Sequence, residues 1–209
     1  MRKIELIELC KDYLSGGDAP ADVKGKYHDE VITKYVEAAY NDLLYEVYVQ
    51  SEQNSDFSPF DNYTEVFTLA VVADGVNAGT IELPFPVVSL PDNMGIRQVM
   101  YTDDETSAFS YLESNSDPVW NELEVDSVDE NPEFKYYRED NKHKMYLRKM
   151  VDNTTEVKVR LVVPLSYMDI SHQVPIPAGK ELRLVDFVVE RLKGKNPEDI
   201  INDNIANQQ

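Results

Sequence analysis

The chain has 209 residues and 42% hydrophobic residues, with 39 acids against 20 bases for a net charge of −19. Such a composition can bury a core, and so acidic a balance excludes nucleic-acid binding through a broad basic surface. A single cysteine, Cys10, excludes an intrachain disulfide framework.

Residues 2–14 read as a short helix, with Ile4, Ile7, Cys10 and Leu14 along one side and Glu5, Glu8 and Asp12 along the other. At that spacing Cys10 reads as a small buried hydrophobe, not as a nucleophile. The first ten residues carry charges inside their apolar pattern, so no signal-peptide core is expected. No run approaches the ~20 apolar residues that span a bilayer, and no membrane partner is expected. Ser15-Gly16-Gly17-Asp18-Ala19-Pro20 breaks the helix. A longer helix is predicted over about 27–49, where Ile32, Tyr35, Val36, Ala39, Leu43 and Val47 recur at helical period. The two make an αα-hairpin that needs something else to cover its apolar stripe.

From residue 51 the texture changes, and Gln53-Asn54-Ser55-Asp56 with Ser58-Pro59 marks a loop. The apolar run 66–72 reads as a buried strand ended by Asp74-Gly75. A weaker strand is expected at 80–83, before Pro84 and Pro86, and another at 94–101. Residues 102–133 are acidic and poorly periodic, but Phe109, Tyr111, Leu112, Val119 and Trp120 predict an anchored segment. The strongest β signal is the run 134–138, a turn at Glu139-Asp140-Asn141, and a second run over 142–149. Two such runs about an Asp-Asn turn form a hairpin. Met145 and Leu147 there alternate with Lys144, Tyr146 and Arg148. Val157, Val159, Leu161 and Val163 then alternate with Glu156, Lys158 and Arg160, as in a strand with one wet face. A helix follows over about 180–193, and Asn196-Pro197-Glu198-Asp199 reads as a helix restart.

The expected fold class is therefore α+β, with an N-terminal αα-hairpin and C-terminal helices packed with a mainly antiparallel β-module. The boundaries read as a helical hairpin over 1–50, a β-rich module over 51–179 with an acidic loop insert at 102–133, and C-terminal helices over 180–209. The last segment is expected to pack with 1–50 in one compact unit.

No catalytic constellation stands out. His28, His143 and His172 lie in different elements without a partner at ligand spacing, so a zinc site is not expected. Nucleophile-elbow, zinc-protease, phosphate-loop and dinucleotide fingerprints are missing. Asp103-Asp104-Glu105 lacks the glycine turn of a calcium loop, as do Asp126, Asp129 and Asn131. No catalytic residue, metal or cofactor is expected, and the chain reads as a non-enzyme. Triads assemble from distant positions, so an enzyme of unrecognised type stays open as an alternative.

The charge is strongly segregated along the chain. Residues 1–34 sum to −1, residues 35–134 to −20 with Arg97 as their one base, and residues 135–209 to +2. One reading is a solvated acidic face that aids solubility. The other is neighbouring subunits meeting through unlike flanks in a cyclic, head-to-tail oligomer. The 13 tyrosines admit a matching pair of readings, as strand-edge filler or as interface residues. The interface candidates are Lys135, Arg138, Lys142, Lys144 and Arg148 on the hairpin.

The order of features resembles the head-to-tail connector and ring proteins of short-tailed bacteriophages, especially the neck and tail rings of crAss-like phages. The resemblance starts with a helix, a Ser-Gly-Gly break and a helix bearing Glu37-Ala38-Ala39-Tyr40-Asn41-Asp42-Leu43-Leu44. It continues through Leu90-Pro91-Asp92 into Ile96-Arg97-Gln98-Val99, then the Tyr136-Tyr137 and Met145-Tyr146-Leu147 strands and the run 157–163. Pro175-Ile176-Pro177 enters the closing helix, and the acidic insert at 102–133 departs from the pattern. The resemblance implies a virion structural protein, assembled in the host cytoplasm, that forms a homo-oligomeric ring between the portal and other neck or tail proteins. DNA would pass through without specific binding. Carboxylates facing a channel would repel phosphates over about 8 Å at physiological salt. The lumen candidates are Asp103, Asp104, Glu105, Asp126, Asp129 and Glu130, with an outer rim as the alternative position. A competing function is an acidic inhibitor or DNA mimic whose carboxylates imitate phosphates in a basic groove.

Overall fold

The structure is a computed structural model that describes residues 1–15, 28–104, 107–111, 131–151, 154–176 and 179–193. It has an α+β fold whose elements divide between two compact units, Met1–Tyr63 with Pro164–Gln209, and Thr64–Val163. The segments 51–63 and 164–179, grouped with the β-rich module on sequence grounds, fall in the helical unit. Their aromatic and backbone contacts are made there.

In the helical unit, α1 (Lys3–Ser15), α2 (Asp29–Asn54) and α4 (Glu181–Lys193) pack against one another. Leu6, Ile7 and Cys10 of α1 meet a core built from Ile32, Val36, Tyr40 and Leu44 of α2 and Leu184, Val185, Val188 and Leu192 of α4. Burial pushes the Cys10 thiol up to about 12, which keeps it protonated and unreactive. The predicted loop at 53–56 starts later than expected. Gln53 and Asn54 complete the last turn of α2, and Ser55 closes it in the left-handed region at φ 51°. The N–H groups of Ser55 and Asp56 bond to Glu52 and Ser51 carbonyls, which satisfies groups a helix end leaves orphaned.

A one-turn helix, α3 (Ser58–Asp61), follows and lays Phe60 on α2. Phe60 stands edge-on to Tyr48 with ring centroids 5.9 Å apart, and Tyr63 lies 6.3 Å from Phe60 and 6.4 Å from Tyr40. The segment 164–174 straps the start of α1. Lys3 and Ile4 N–H donate to the His172 and Ile170 carbonyls at 3.0 Å each, and Val174 N–H donates to Met1 O at 2.9 Å. The buried Lys3 ammonium donates to Leu165 O at 2.8 Å and Met168 O at 3.3 Å, and Glu37 lies 3.8 Å away. A buried charge needs such partners to be tolerated.

On the surface of this unit Glu46 of α2 receives Lys180 and Arg183 on one oxygen, each at 2.9 Å. The hydrogen bond from Lys180 and the positive field of both cations hold its carboxyl below the ordinary glutamate value of 4.5. A depressed folded-state value adds stability that is complete above the unfolded value and lost as pH falls through the folded one. Glu46→Gln is therefore expected to lower the melting temperature at about pH 6, and the gap to wild type should narrow steadily as the pH is taken below the ordinary glutamate value of 4.5. A gap independent of pH in thermal melts would refute the ionic account.

The other unit, Thr64–Val163, holds two sheets. The first has the order β1 (Thr64–Ala70), β8 (Glu156–Val162), β4 (Ile96–Tyr101), all antiparallel. β8 is central, and its Val157, Val159 and Leu161 are fully buried, as their alternation predicts. The second has the order β2 (Val72–Ala73), β3 (Gly79–Glu82), β7 (Lys142–Arg148), β6 (Glu133–Glu139), β5 (Ser110–Tyr111), antiparallel except for β5 on β6. Ile81, Met145, Leu147 and Phe134 fill its inner face.

The run 66–72 requires a correction. It is not a buried strand, because Val66 is 48% and Val72 67% exposed. The run breaks at Val71 between two edge strands that belong to different sheets, so among the described strands each has one paired side. The predicted anchoring of the acidic insert holds at its described ends. Phe109 lies 4.9 Å from Tyr101, and Tyr111 stands edge-on to Phe134 at 5.3 Å. Leu112, Val119, Trp120, the 16–20 break and the 196–199 restart lie outside the described residues.

Candidate interaction surface on the β6–β7 hairpin

The hairpin owes its register to its turn. Asp140 at φ 48° and Asn141 at φ 62° both take the left-handed conformation that a two-residue turn of matching twist requires. Short Asx side chains tolerate it at low cost. The turn sets Glu139 opposite Lys142, Arg138 opposite His143, Tyr137 opposite Lys144, Tyr136 opposite Met145 and Lys135 opposite Tyr146. Residues directly opposed share a face and neighbours along a strand do not.

Alternation therefore divides the five interface candidates. Lys135, Lys142, Lys144 and Arg148 share the outer face with Tyr137, Tyr146, Glu133 and Glu139. β3 and β2 extend that face with Glu82, Thr80 and Val72. Arg138 stands on the opposite face with His143 and Tyr136, the face that carries the buried Met145 and Leu147 further along. The sequence held the signal for this split, since a two-residue turn with period-2 alternation dictates it.

Nor is the outer face a bare basic patch. Lys142 reaches Glu82 at 2.8 Å, and Lys144 reaches Glu139 at 2.6 Å. Glu133, mostly buried, takes Arg148 at 2.6 Å on one oxygen and Lys149 at 2.9 Å on the other. The hydrogen bond to Glu139 raises the Lys144 ammonium. Partial burial raises the Tyr137 and Tyr146 hydroxyls, and the Asp74 carboxylate pushes both the same way. The result is a half-buried tyrosine pair set in a lattice of alternating charges, with Val72 exposed at one end of the Val72, Thr80, Tyr146, Lys135 row. Such a face can associate through aromatic and apolar contact while its ion pairs fix register.

The acidic candidates are placed only in part. Asp103 is exposed, and Asp104 is half-buried and accepts the Ser107 hydroxyl at 2.6 Å. Glu105, Asp126, Asp129 and Glu130 lie outside the described residues. The charge segregation along the chain does not survive as segregation between units. Thr64–Val163 holds 19 acids and 9 bases, −10, and the remainder holds 20 acids and 11 bases, −9. Among the described residues no cluster of three His, Cys, Asp or Glu could hold a metal, and no helix is long and apolar enough to cross a membrane. Comparison of the chain with protein-family models and with curated proteins finds no match.

Proposed function

We propose that the protein is a structural ring or adaptor subunit of a virion, which joins portal to tail, assembles with copies of itself and with neighbouring neck or tail proteins, and lets DNA pass. The observation that carries this reading is the outer face of the β6–β7 hairpin. Tyr137, Tyr146 and Val72 sit on a rigid sheet inside a satisfied ion-pair lattice. Aromatic side chains at the centre with charged pairs around them are the composition of a protein interface. The feature order that resembles connector rings supplies the kind of assembly.

Light scattering coupled to size-exclusion chromatography tests the reading. A large discrete oligomer is expected, seen as a ring by electron microscopy. The pair of changes Val72→Ser and Tyr146→Ser should weaken association about 30-fold without altering the circular-dichroism spectrum. A monomer at all concentrations would remove self-assembly from the reading. One observation favours a second reading, an acidic inhibitor or DNA mimic: both units are net acidic, −10 and −9. That reading requires a small, discrete particle that competes with DNA for a basic groove.

A further inference from the structure

Arg138, His143 and Tyr136 form a second polar cluster, on the face of the hairpin that the outer lattice does not use. The Tyr136 hydroxyl lies 2.5 Å from His143 Nδ1, and the two rings are stacked 6.0 Å apart. Arg138 is directly opposed to His143 in register. The hairpin backbone holds them in place, since Leu83 N–H donates to His143 O at 2.8 Å and pins β7 to the chain leaving β3. Arg138 differs from Lys142, Lys144, Arg148 and Lys149, each of which meets a carboxylate. Its guanidinium is held at 2.9 Å by the neutral amide oxygen of Asn141, and Arg138 is exposed. Among the described residues Arg138 thus meets no carboxylate, in a chain with 39 acids and 20 bases.

We propose that Arg138 and His143 form a carboxylate-docking point, occupied in the assembled particle by an acidic side chain of a neighbouring copy of this chain. The Tyr136 hydroxyl donates to His143 Nδ1, which leaves the proton of the neutral ring on Nε2. Nε2–H then remains as a donor on the residue directly opposed to Arg138 in register. Arginine pairs with carboxylates in a planar, two-pronged geometry that lysine does not reproduce. Tyr136 is a positioning residue that sets the tautomer. A second copy is the occupant because every copy brings a large excess of carboxylates over cations, so this match is available without another protein. The occupant rests on the self-assembly proposed above; the docking point does not.

Two experiments on the full-length protein separate these levels. In the first, sodium acetate is titrated against 15N-labelled protein, with sodium chloride at equal ionic strength as the control. Acetate should shift the His143 Nε2 and Arg138 side-chain signals, and the imidazole 15N shifts should report the Nε2–H tautomer. Arg138→Gln should abolish the response, and Tyr136→Phe should disturb the tautomer. Shifts that chloride reproduces would overturn the docking point. In the second, sedimentation velocity compares the wild type with Arg138→Gln and His143→Gln. Each change should weaken self-association about 10-fold, more at low salt than at high salt. Assembly indifferent to both changes overturns the occupant and leaves the ring reading standing. A wild type that never self-associates overturns the occupant together with the ring reading, even where acetate binds. A wild type that retains duplex DNA in place of its own copies makes the ligand a phosphate and also overturns it.

Discussion

Phe60→Ala is expected to destabilise the helical unit by about 4 kcal/mol, the range of a large aromatic removed from a closed core. Phe60 is fully buried, edge-on to Tyr48 and tilted against Tyr63. It is also the buried residue of α3, a four-residue helix far too short to exist without tertiary support. The Asp56 carboxylate accepts Ser58 N–H at 3.0 Å and starts that turn, but one exposed hydrogen bond cannot hold it on α2. The loss therefore combines the transfer of a phenyl ring, the cavity it leaves and the release of its turn. Urea unfolding followed by far-ultraviolet circular dichroism measures the effect, with Phe60→Leu expected to cost about a third as much because most of the volume is kept. A loss below about 1 kcal/mol for the alanine would show that α3 does not anchor this end of the core.

Gly95→Ala should be the most damaging small substitution in the other unit, at about 3 kcal/mol. A Cβ at Gly95 would meet Val88 O at 2.2 Å and Val87 Cγ1 at 2.6 Å. The first is a backbone atom, so a change of side-chain rotamer cannot relieve it. Retreat in the other direction is blocked, because Gly95 O accepts Val162 N–H at 2.9 Å where β4 joins β8, just before the irregularity between Ile96 and Gln98. Gly75→Ala is the matched control. Gly75 sits at φ +96° with nothing within 4 Å of the added carbon, so its cost is conformational, about 1 kcal/mol. Thermal melts of the two variants should differ by several degrees, with the Gly95 variant lower. Equal melting temperatures would mean that the 87–88 backbone yields, and that the close approach is not a constraint of the fold.

The elements that were legible in the sequence are those whose geometry is local. Helical period placed α1, α2 and α4 to within a few residues, because side chains three and four apart share a helix face whatever the helix packs on. The turn Asp140-Asn141 and the alternation of Met145 with Leu147 and of Val157 with Leu161 specified a hairpin and a half-buried strand for the same reason. The division of the hairpin cations between two faces was equally local, and it was available from the alternation that predicted the hairpin. Pairing partners were not local. The run 66–72 has the composition of a buried strand, yet β1 pairs with β8 at one edge and β2 with β3 at another, and the exposure of Val66 and Val72 follows from that placement. The carboxylate that neutralises Lys142 is Glu82, 60 residues away, and a charge pattern read along the chain cannot announce it. The −20 middle and the near-neutral ends become two units of −10 and −9, because the β6–β7 hairpin and β8, rich in cations, belong to the same unit as the acidic stretch that precedes them, while the acidic helix α2 falls in the other unit and packs with α4, whose last turn is basic. Period and turn chemistry act between near neighbours and are written in the sequence; burial, ion pairing and the charge of a surface depend on which distant segments meet, and the tertiary structure alone decided them.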